Sequence, residues 1–316
     1  MTLSDQDTEH ILTAGDLRAS VSPWGAAHRG VWRELPGGGR REIVTSYSGA
    51  HNKAGGQGDI LIPFPGRVKG GTYTFEGRQH QMEQNDKESP SAIHGFLRSV
   101  PWTVTELQPA AATFTVSMGA SDYPGYPFAL AVTVEYALTE AGLTCRYEIR
   151  NAGDATAPVA AGFHPYFSAG SDTIDSCTLH VPMASVLEFD GLLPTGGVLP
   201  VQQTPFDFRS PRPIGGTKLN TCFLDPERDP DGKLRVTLAN DATGESLAVW
   251  MDRSINYVVL YSGDPLPETH RRKSLAIEPM TCASDAFNHP EWGLVTLKPG
   301  ESTSGEWGVE STSAAR

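Results

Sequence analysis

Short segments in which apolar and polar residues alternate with a period of two dominate the chain. In residues 130–138 the apolar side chains occupy every second position, and the alternation resumes in residues 143–149 after a glycine-containing turn. Two alternating runs around such a turn predict a β-hairpin. The same pattern predicts hairpins at residues 236–251 and at residues 72–75, where Glu76-Gly77 forms the turn. Few stretches long enough for a helix lack glycine or proline, so we expect antiparallel β-structure.

The composition agrees with a chain of many turns. The 316 residues include 33 glycines and 24 prolines that are scattered rather than periodic, which excludes a collagen-like repeat. No internal repeat and no linker divides the chain, so we expect an all-β fold with one domain over residues 1–316. Its packed part is expected to run from Leu12 to Val309, with frayed polar ends at Thr2–Glu9 and Ser311–Arg316.

The charge balance narrows the class of partner. The chain carries 25 basic and 37 acidic residues, a net charge of −12, which would repel nucleic acid and anionic membranes. No apolar stretch approaches the length of a membrane span, and the N-terminal residues lack a signal-peptide pattern. We therefore expect a cytoplasmic protein that binds a neutral small molecule.

Motifs for several other chemistries are missing. The four cysteines form no CxxC pair and are expected to be reduced and mostly buried. The chain contains no GxSxG, HExxH, P-loop or GxGxxG motif. The acidic segment Asp225–Lys233 lacks the full calcium-loop pattern and is better explained as a solvated turn. We expect neither a metal nor a cofactor.

Three polar residues within apolar or turn-rich sequence are candidates for chemistry. His94 lies between apolar residues, a context that favours a structural histidine. His164 precedes a proline, which holds it in an extended conformation, and its aromatic neighbours suit either a sugar ring or a plain core. Glu278 lies in an apolar run, where a lone carboxylate is costly unless it is paired or used. The pattern therefore favours a functional role for Glu278 and leaves that of His164 open.

Together these segments resemble the aldose 1-epimerases, or galactose mutarotases. The resemblance covers nearly the whole chain, and its specificity lies in the order and spacing of short pieces. The pieces are Leu61–Arg67, Gly71–Gly77, Asn85, His94-Gly95, Trp102, His164–Phe167 and Glu278-Pro279. The resemblance implies a large antiparallel β-sandwich of the galactose mutarotase-like supersandwich type, with the site in an open cleft across a concave sheet.

The resemblance also implies a reaction, the interconversion of the α and β anomers of an aldohexose such as galactose or glucose. A base removes the proton of the C1 hydroxyl while an acid protonates the ring oxygen, and the roles reverse on closure. A carboxylate and a histidine can supply this pair without metal or coenzyme. By resemblance Glu278 matches the general base and His164 the general acid. His94, Arg67 and Tyr166 match positions that bind the sugar or line its pocket.

One position departs from the family pattern. The family usually carries a sugar-binding aspartate in a segment that aligns with residues 218–225, and Asn220 stands in its place. An amide still forms hydrogen bonds with a sugar, but it cannot make the charge-assisted contact. We therefore expect Asn220 to alter sugar specificity, unless the loop is shifted and Asp225 takes the role.

Three kinds of function are compatible with these features. A mutarotase is preferred, because a weak sugar-binding or regulatory relative would be expected to lack the acid–base pair. A sugar-phosphate 1-epimerase would need an arginine cluster at the cleft, and only Arg67 and Arg98 lie near the motifs. We expect a monosaccharide as the partner of a monomer or homodimer, with no nucleic acid and no membrane.

Overall fold

The computed structural model describes residues 8–49 and 53–312, and strands dominate this part of the chain. The strands are β1 His10–Ala14, β2 Leu17–Val21, β3 His28–Glu34, β4 Arg40–Val44, β5 Arg67–Lys69, β6 Thr72–Phe75, β7 Arg78–Gln81, β8 Ser91–Ile93, β9 Thr103–Gln108, β10 Ala111–Met118, β11 Leu130–Leu138, β12 Gly142–Asn151, β13 Ala157–Val159, β14 Tyr166–Phe167, β15 Thr178–His180, β16 Met183–Asp190, β17 Leu193–Pro200, β18 Arg212–Pro213, β19 Asn220–Pro226, β20 Leu234–Asn240, β21 Glu245–Met251, β22 Tyr257–Tyr261, β23 Leu275–Met280, β24 Val295–Leu297 and β25 Ser302–Thr312. Short 3-10 helices lie at Leu97–Ser99, Ile174–Ser176, Val201–Gln203 and Pro290–Trp292.

Most strands belong to two large sheets. One has ten strands in the order β1-β2-β3-β4-β14-β23-β22-β19-β16-β17. The other has nine strands in the order β18-β15-β20-β21-β25-β12-β11-β10-β9. Neighbouring strands run antiparallel in both sheets. Small sheets form from β13 and β24, from β5 and β8, and from β6 and β7.

The three hairpins predicted from the alternating pattern are confirmed. β11 pairs with β12 in unbroken register, as β20 does with β21 and β6 with β7. In β11 buried and partly exposed residues alternate at each position. This alternation arises because one face of the strand contacts the core while the other faces solvent.

The two large sheets pack face to face, so the fold is the large antiparallel β-sandwich that was expected. Phe163 of the ten-stranded side contacts Trp307 of the nine-stranded sheet, with ring centroids 5.6 Å apart. One apolar cluster includes buried side chains from Leu12 to Val309. The extent of a single domain over residues 1–316 stays a prediction.

The prediction of frayed ends is wrong for the parts of those ends that the structure describes. Glu9 accepts hydrogen bonds from buried Arg29 at 2.9 Å and from Ser20 at 2.6 Å. β25 continues through Ser311, which pairs with Leu247. Polar residues become ordered where a neighbouring strand supplies partners, and polarity alone does not reveal this. Residues 1–7 and 313–316, the remainder of the two predicted tails, lie outside the described residues.

Two further sequence predictions concern buried thiols and the acidic turn. The cysteines are all free and buried, as expected, at positions Cys145, Cys177, Cys222 and Cys282. In the acidic turn, Asp229 and Asp231 both pair with Arg235. Over residues 8–49 and 53–312, none of the helices has the length and apolar character needed to cross a bilayer.

Candidate active site

The strand register of the ten-stranded sheet brings four residues into one row. Cys222 of β19 lies opposite Val259 of β22, which lies opposite Glu278 of β23. β14 pairs with β23 in a register that places His164, two residues before β14, opposite Glu278. Residues directly opposite each other in antiparallel strands share a face of the sheet. All four line a cavity of about 250 Å³.

The alternation of side chains separates this row from the core. Leu260 and Ile277 adjoin the row on their strands, and both belong to the apolar cluster between the sheets. Successive side chains of a strand point to opposite faces, so the chemistry-bearing residues point away from that cluster. Apolar side chains complete the cavity wall, among them Ile93, Phe189 and Leu266. The cavity therefore combines an apolar lining with a few polar groups, as small-molecule sites do.

His164 and Glu278 form a buried acid–base pair. His164 Nε2 lies 3.5 Å from Glu278 Oε1, and the two residues are only 6% and 3% exposed. Burial raises the pKa of Glu278 well above its usual value, opposed by the charge of Arg67. Burial also lowers the pKa of His164 to about 3, and nearby Arg98 and Lys53 contribute. Desolvation thus favours the form in which both groups are uncharged. In this form the one titratable proton of the pair is on Glu278, and His164 is a neutral imidazole.

The backbone and an aromatic ring hold His164 in place. Its N–H donates to the Asp59 carbonyl and its own carbonyl accepts from Gly58, both at 3.0 Å. The imidazole stacks on Tyr166, with ring centroids 5.2 Å apart and planes 14° apart. The Tyr166 hydroxyl donates to the Gly55 carbonyl at 2.7 Å. These contacts restrict the rotation of the imidazole and fix the direction in which it faces the cavity.

Tyr166 was expected to bind substrate, and the structure stacks its ring on His164. It is 2% exposed and is not among the residues that line the cavity. The stacked imidazole covers one face of its ring, and the Gly55 carbonyl takes its hydroxyl. In this structure the Tyr166 ring supports His164, and a role in binding substrate stays a prediction.

His94 enters the cavity from the small β5–β8 sheet. It follows β8 with φ of +64°, and Gly95 after it has φ of +62°. A Cβ at Gly95 would lie 2.2 Å from the Ile62 carbonyl oxygen, so only glycine fits there. The Gly66 N–H donates to His94 Nδ1 at 3.2 Å, which leaves the ring proton on Nε2. Desolvation holds the pKa of His94 well below its usual value, so it is a neutral donor.

Arg67 lies on β5, opposite the end of β8, and lines the cavity. Its Nε donates to Asp86 Oδ2 at 2.8 Å and its Nη2 to Glu88 Oε2 at 3.2 Å. Its backbone N–H donates to Ser284 Oγ at 2.9 Å. Sequence reasoning identified Arg67 but missed both carboxylates, which belong to an acidic loop before His94.

Asn220, the residue that departs from the family pattern, lies at the cavity. It begins β19, is exposed, and lines the cavity two residues before Cys222, on the same strand face. Asp225, the alternative candidate, lies near the opposite end of β19 and does not line the cavity. Of the two residues, the structure brings Asn220 to the site.

A buried charge cluster behind His164 was also missed. Asp59 is 1% exposed and pairs with Lys53 and with Arg98, whose Nη1 lies 3.3 Å from Asp59 Oδ2. Burial raises the pKa of Asp59, and the two cations oppose that rise. The available sequence signal was a lone aspartate beside the apolar Ile60–Phe64 segment.

Within the described ranges, no group of three or more His, Cys, Asp or Glu side chains is arranged to hold a metal ion.

Known proteins resemble this chain in both sequence and structure. The sequence model of the family Aldose 1-epimerase matches residues 9–309. Uncharacterized protein YihR of Escherichia coli (strain K12) is 29% identical over 278 residues, which cover 88% of this chain and 85% of that protein. Galactose mutarotase of Sus scrofa is 26% identical over an alignment of 317 residues, which covers 92% of this chain and 90% of that protein.

A solved structure supports the fold. The crystal structure of the GalM/aldose epimerase homologue from C. elegans matches with a TM-score of 0.86 at 22% identity, covering 98% of this chain and 100% of that one. The fold is therefore galactose mutarotase-like, as the sequence resemblance implied. With the family match over residues 9–309, this chain belongs to the aldose 1-epimerase family.

Proposed function

We propose that this protein interconverts the α and β anomers of a free aldohexose by acid–base ring opening and reclosure. The observation that carries the proposal is the buried His164–Glu278 pair, which faces a cavity with its reactive atoms 3.5 Å apart. The reaction needs one acid and one base beside the same hemiacetal, and such a pair supplies both. Membership of an isomerase family supports the same class of reaction.

In ring opening, Glu278 is the base and His164 the acid. Glu278 takes the proton of the C1 hydroxyl, a C1 carbonyl forms, and the bond between C1 and the ring oxygen breaks. His164 gives its proton to the ring oxygen, so the pair again holds one proton, now on Glu278. After rotation about C1–C2, the hydroxyl oxygen attacks the other face of the carbonyl. His164 then takes that hydroxyl proton while Glu278 protonates the carbonyl oxygen.

The cycle uses two arrangements of one titratable proton on the pair. Burial places the shared proton on Glu278 in the unliganded cavity, and its transfer to His164 produces the carboxylate and imidazolium that begin ring opening. A sugar hydroxyl that donates to the carboxylate stabilises this charged form. Both microstates contain the same single proton, so no proton needs to be exchanged with solvent during turnover.

The remaining cavity residues are proposed to bind the sugar. His94 offers its Nε2–H, Arg67 offers a guanidinium N–H, and Asn220 offers an amide. The apolar lining suits the C–H face of a pyranose ring. Anomerisation already proceeds in water, so positioning by these groups together with modest acid–base assistance is sufficient.

Polarimetry tests the proposal directly. Freshly dissolved α-D-glucose, α-D-galactose and glucose 6-phosphate are followed with native protein and with heat-inactivated protein. We expect native protein to accelerate the approach to equilibrium for at least one of the two free hexoses. Acceleration for none of the three sugars would overturn the proposal, and acceleration for glucose 6-phosphate alone would replace it with a sugar-phosphate 1-epimerase.

A further inference from the structure

The loop between β7 and β8 supplies two carboxylates to the cavity, Asp86 and Glu88. Both contact the same guanidinium, since Asp86 accepts from Arg67 Nε at 2.8 Å and Glu88 accepts from Nη2 at 3.2 Å. Their side chains differ in exposure, at 5% for Asp86 and 63% for Glu88. Arg67 therefore has one buried and one solvated counter-charge.

Asp86 is held in a fixed orientation. Its Oδ2 accepts from Ser89 Oγ at 2.5 Å and its Oδ1 accepts from the Glu88 N–H at 3.1 Å. Burial would raise the pKa of Asp86, but the bonds from Arg67, Ser89 and the Glu88 N–H outweigh it and lower that pKa. Asp86 is thus an ionised anchor that fixes where the Arg67 guanidinium lies.

The charges around Arg67 disfavour an anionic ligand. Arg67 is the one Lys or Arg among the described residues that line the cavity, and Asp86, Glu88 and Glu278 line it as well. Lys53 and Arg98 pair with Asp59 and are not part of the lining. A phosphate or carboxylate that reached Arg67 would lie beside two carboxylates that already neutralise it, and their negative charge would oppose binding. A sugar hydroxyl could accept from the guanidinium while both ion pairs remain.

We propose that Asp86 and Glu88 determine the charge selectivity of this cavity. Asp86 is a positioning residue that anchors Arg67, and Glu88 is the solvated counter-charge that excludes sugars bearing an anionic group. Arg67 then recognises uncharged hydroxyls. This inference rests on the proposed function only in taking a sugar as the ligand.

Isothermal titration calorimetry of glucose and glucose 6-phosphate tests the role of Glu88 without requiring turnover. The measured quantity is the ratio of the two dissociation constants in wild type, Glu88→Gln and the control Glu83→Gln. Glu83 is exposed on the same segment and does not line the cavity. Glu83→Gln makes the same change in net charge as Glu88→Gln but leaves the cavity lining unaltered. We expect the ratio to shift toward glucose 6-phosphate by about threefold to fivefold in Glu88→Gln, as for a partly exposed charge contact, and to keep its wild-type value in Glu83→Gln.

Several outcomes would overturn the proposal. They are an unchanged ratio in Glu88→Gln, an equal shift in Glu83→Gln, and a lack of binding of both sugars by all three proteins. If wild type binds sugars but does not accelerate anomerisation, the proposed function fails while the ratio still decides the question of charge selectivity.

The positioning role of Asp86 has a separate kinetic readout. In Asp86→Asn we expect the KM for the accelerated hexose to rise by about fivefold or more while kcat changes less, because a loosened Arg67 affects binding and not the acid–base pair. Asp86→Glu should restore part of the loss. An equal fall of kcat in both variants with no change in KM would contradict the role.

Discussion

The two ends of the cavity are built differently. At one end Glu278 lies on β23 of the ten-stranded sheet and His164 lies just before the adjacent strand β14, and each is at most 6% exposed. At the other end Arg67 lies on a three-residue strand of a two-stranded sheet, and a loop supplies its partners Asp86 and Glu88. The first end holds a buried pair for which desolvation favours the uncharged form, whereas the second holds two ion pairs, of which the one to Glu88 reaches solvent.

This difference separates proton transfer from sugar selection. A strand with neighbours on both sides fixes its side chains, and burial shifts their pKa values enough for two groups to share one proton. A loop at the rim tolerates substitution, and its charges act on a ligand through partly screened contacts. We therefore expect substitutions at the buried end to affect kcat strongly, and those at the rim to affect KM and selectivity.

The largest effect is expected for Glu278→Gln. The amide has nearly the same shape but cannot accept the proton of the C1 hydroxyl, so catalysed anomerisation should fall by at least about 100-fold. Exchange between the two anomers, measured by NMR, reports this rate above the uncatalysed background. Glu291→Gln, at an exposed position, is the matched control and should retain wild-type activity. Near-normal activity in folded Glu278→Gln would remove Glu278 from the mechanism.

A comparable loss is expected for His164→Asn. Among the described residues, His164 is the one that pairs with Glu278, so the fall should again reach about 100-fold. His94→Asn should cost less, about tenfold, because a neutral donor at Nε2 contributes hydrogen bonding and not proton transfer. The same NMR assay applies to both variants. If His94→Asn alone were severe, the acid role would belong to His94.

The pH dependence should reflect the shared proton. Below the lower pKa the pair has no free base, and above the upper pKa it has no acid. Because burial lowers the pKa of His164 to about 3 and raises that of Glu278, the active one-proton form lies between these limits. We expect no loss of background-corrected kcat/KM as the pH falls through about 6.5 to about 5, the range where a solvated histidine would protonate. It should fall on the alkaline side. An acidic limb centred near about pH 6.5 would contradict a desolvated pair.

A smaller effect is expected at the rim for Asn220→Asp. A carboxylate accepts from a sugar hydroxyl more strongly than an amide by about 1 kcal/mol, which corresponds to about a fivefold lower KM. Asp225→Asn should leave KM unchanged, because Asp225 does not line the cavity. Steady-state kinetics on glucose and galactose checks both variants. An unchanged KM for the first with a large rise for the second would show that Asp225 binds the sugar.

Local pattern was sufficient to predict much of the fold. Alternation identifies β11 with β12 and β20 with β21, because both partners of each hairpin are close in sequence. It cannot identify β14, a two-residue strand that pairs with β4 and β23, each more than 100 residues away. A strand this short has no period, and its position is set by tertiary pairing.

Site residues that belong to a short sequence motif could be predicted. Residues whose role depends on a partner far away in the sequence could not. The apolar context of Glu278 indicated a functional role, whereas His164 became the candidate acid only through the family resemblance. The direction of Tyr166 could not be predicted, because it depends on the Gly55 carbonyl. Asp59 was missed because Arg98, one of its partners, lies 39 residues away. Ordinary pKa values would also place the shared proton on His164, whereas burial places it on Glu278.

A double-mutant cycle on the buried pair tests the central claim most directly. Anomer exchange is measured by NMR for wild type, Glu278→Gln, His164→Asn and the combined variant at one pH. If the two residues act as a one-proton unit, the combined variant should lose no more than about threefold beyond either single variant. Losses that multiply, to about 10,000-fold in the combined variant, would show that Glu278 and His164 act independently and would contradict the account.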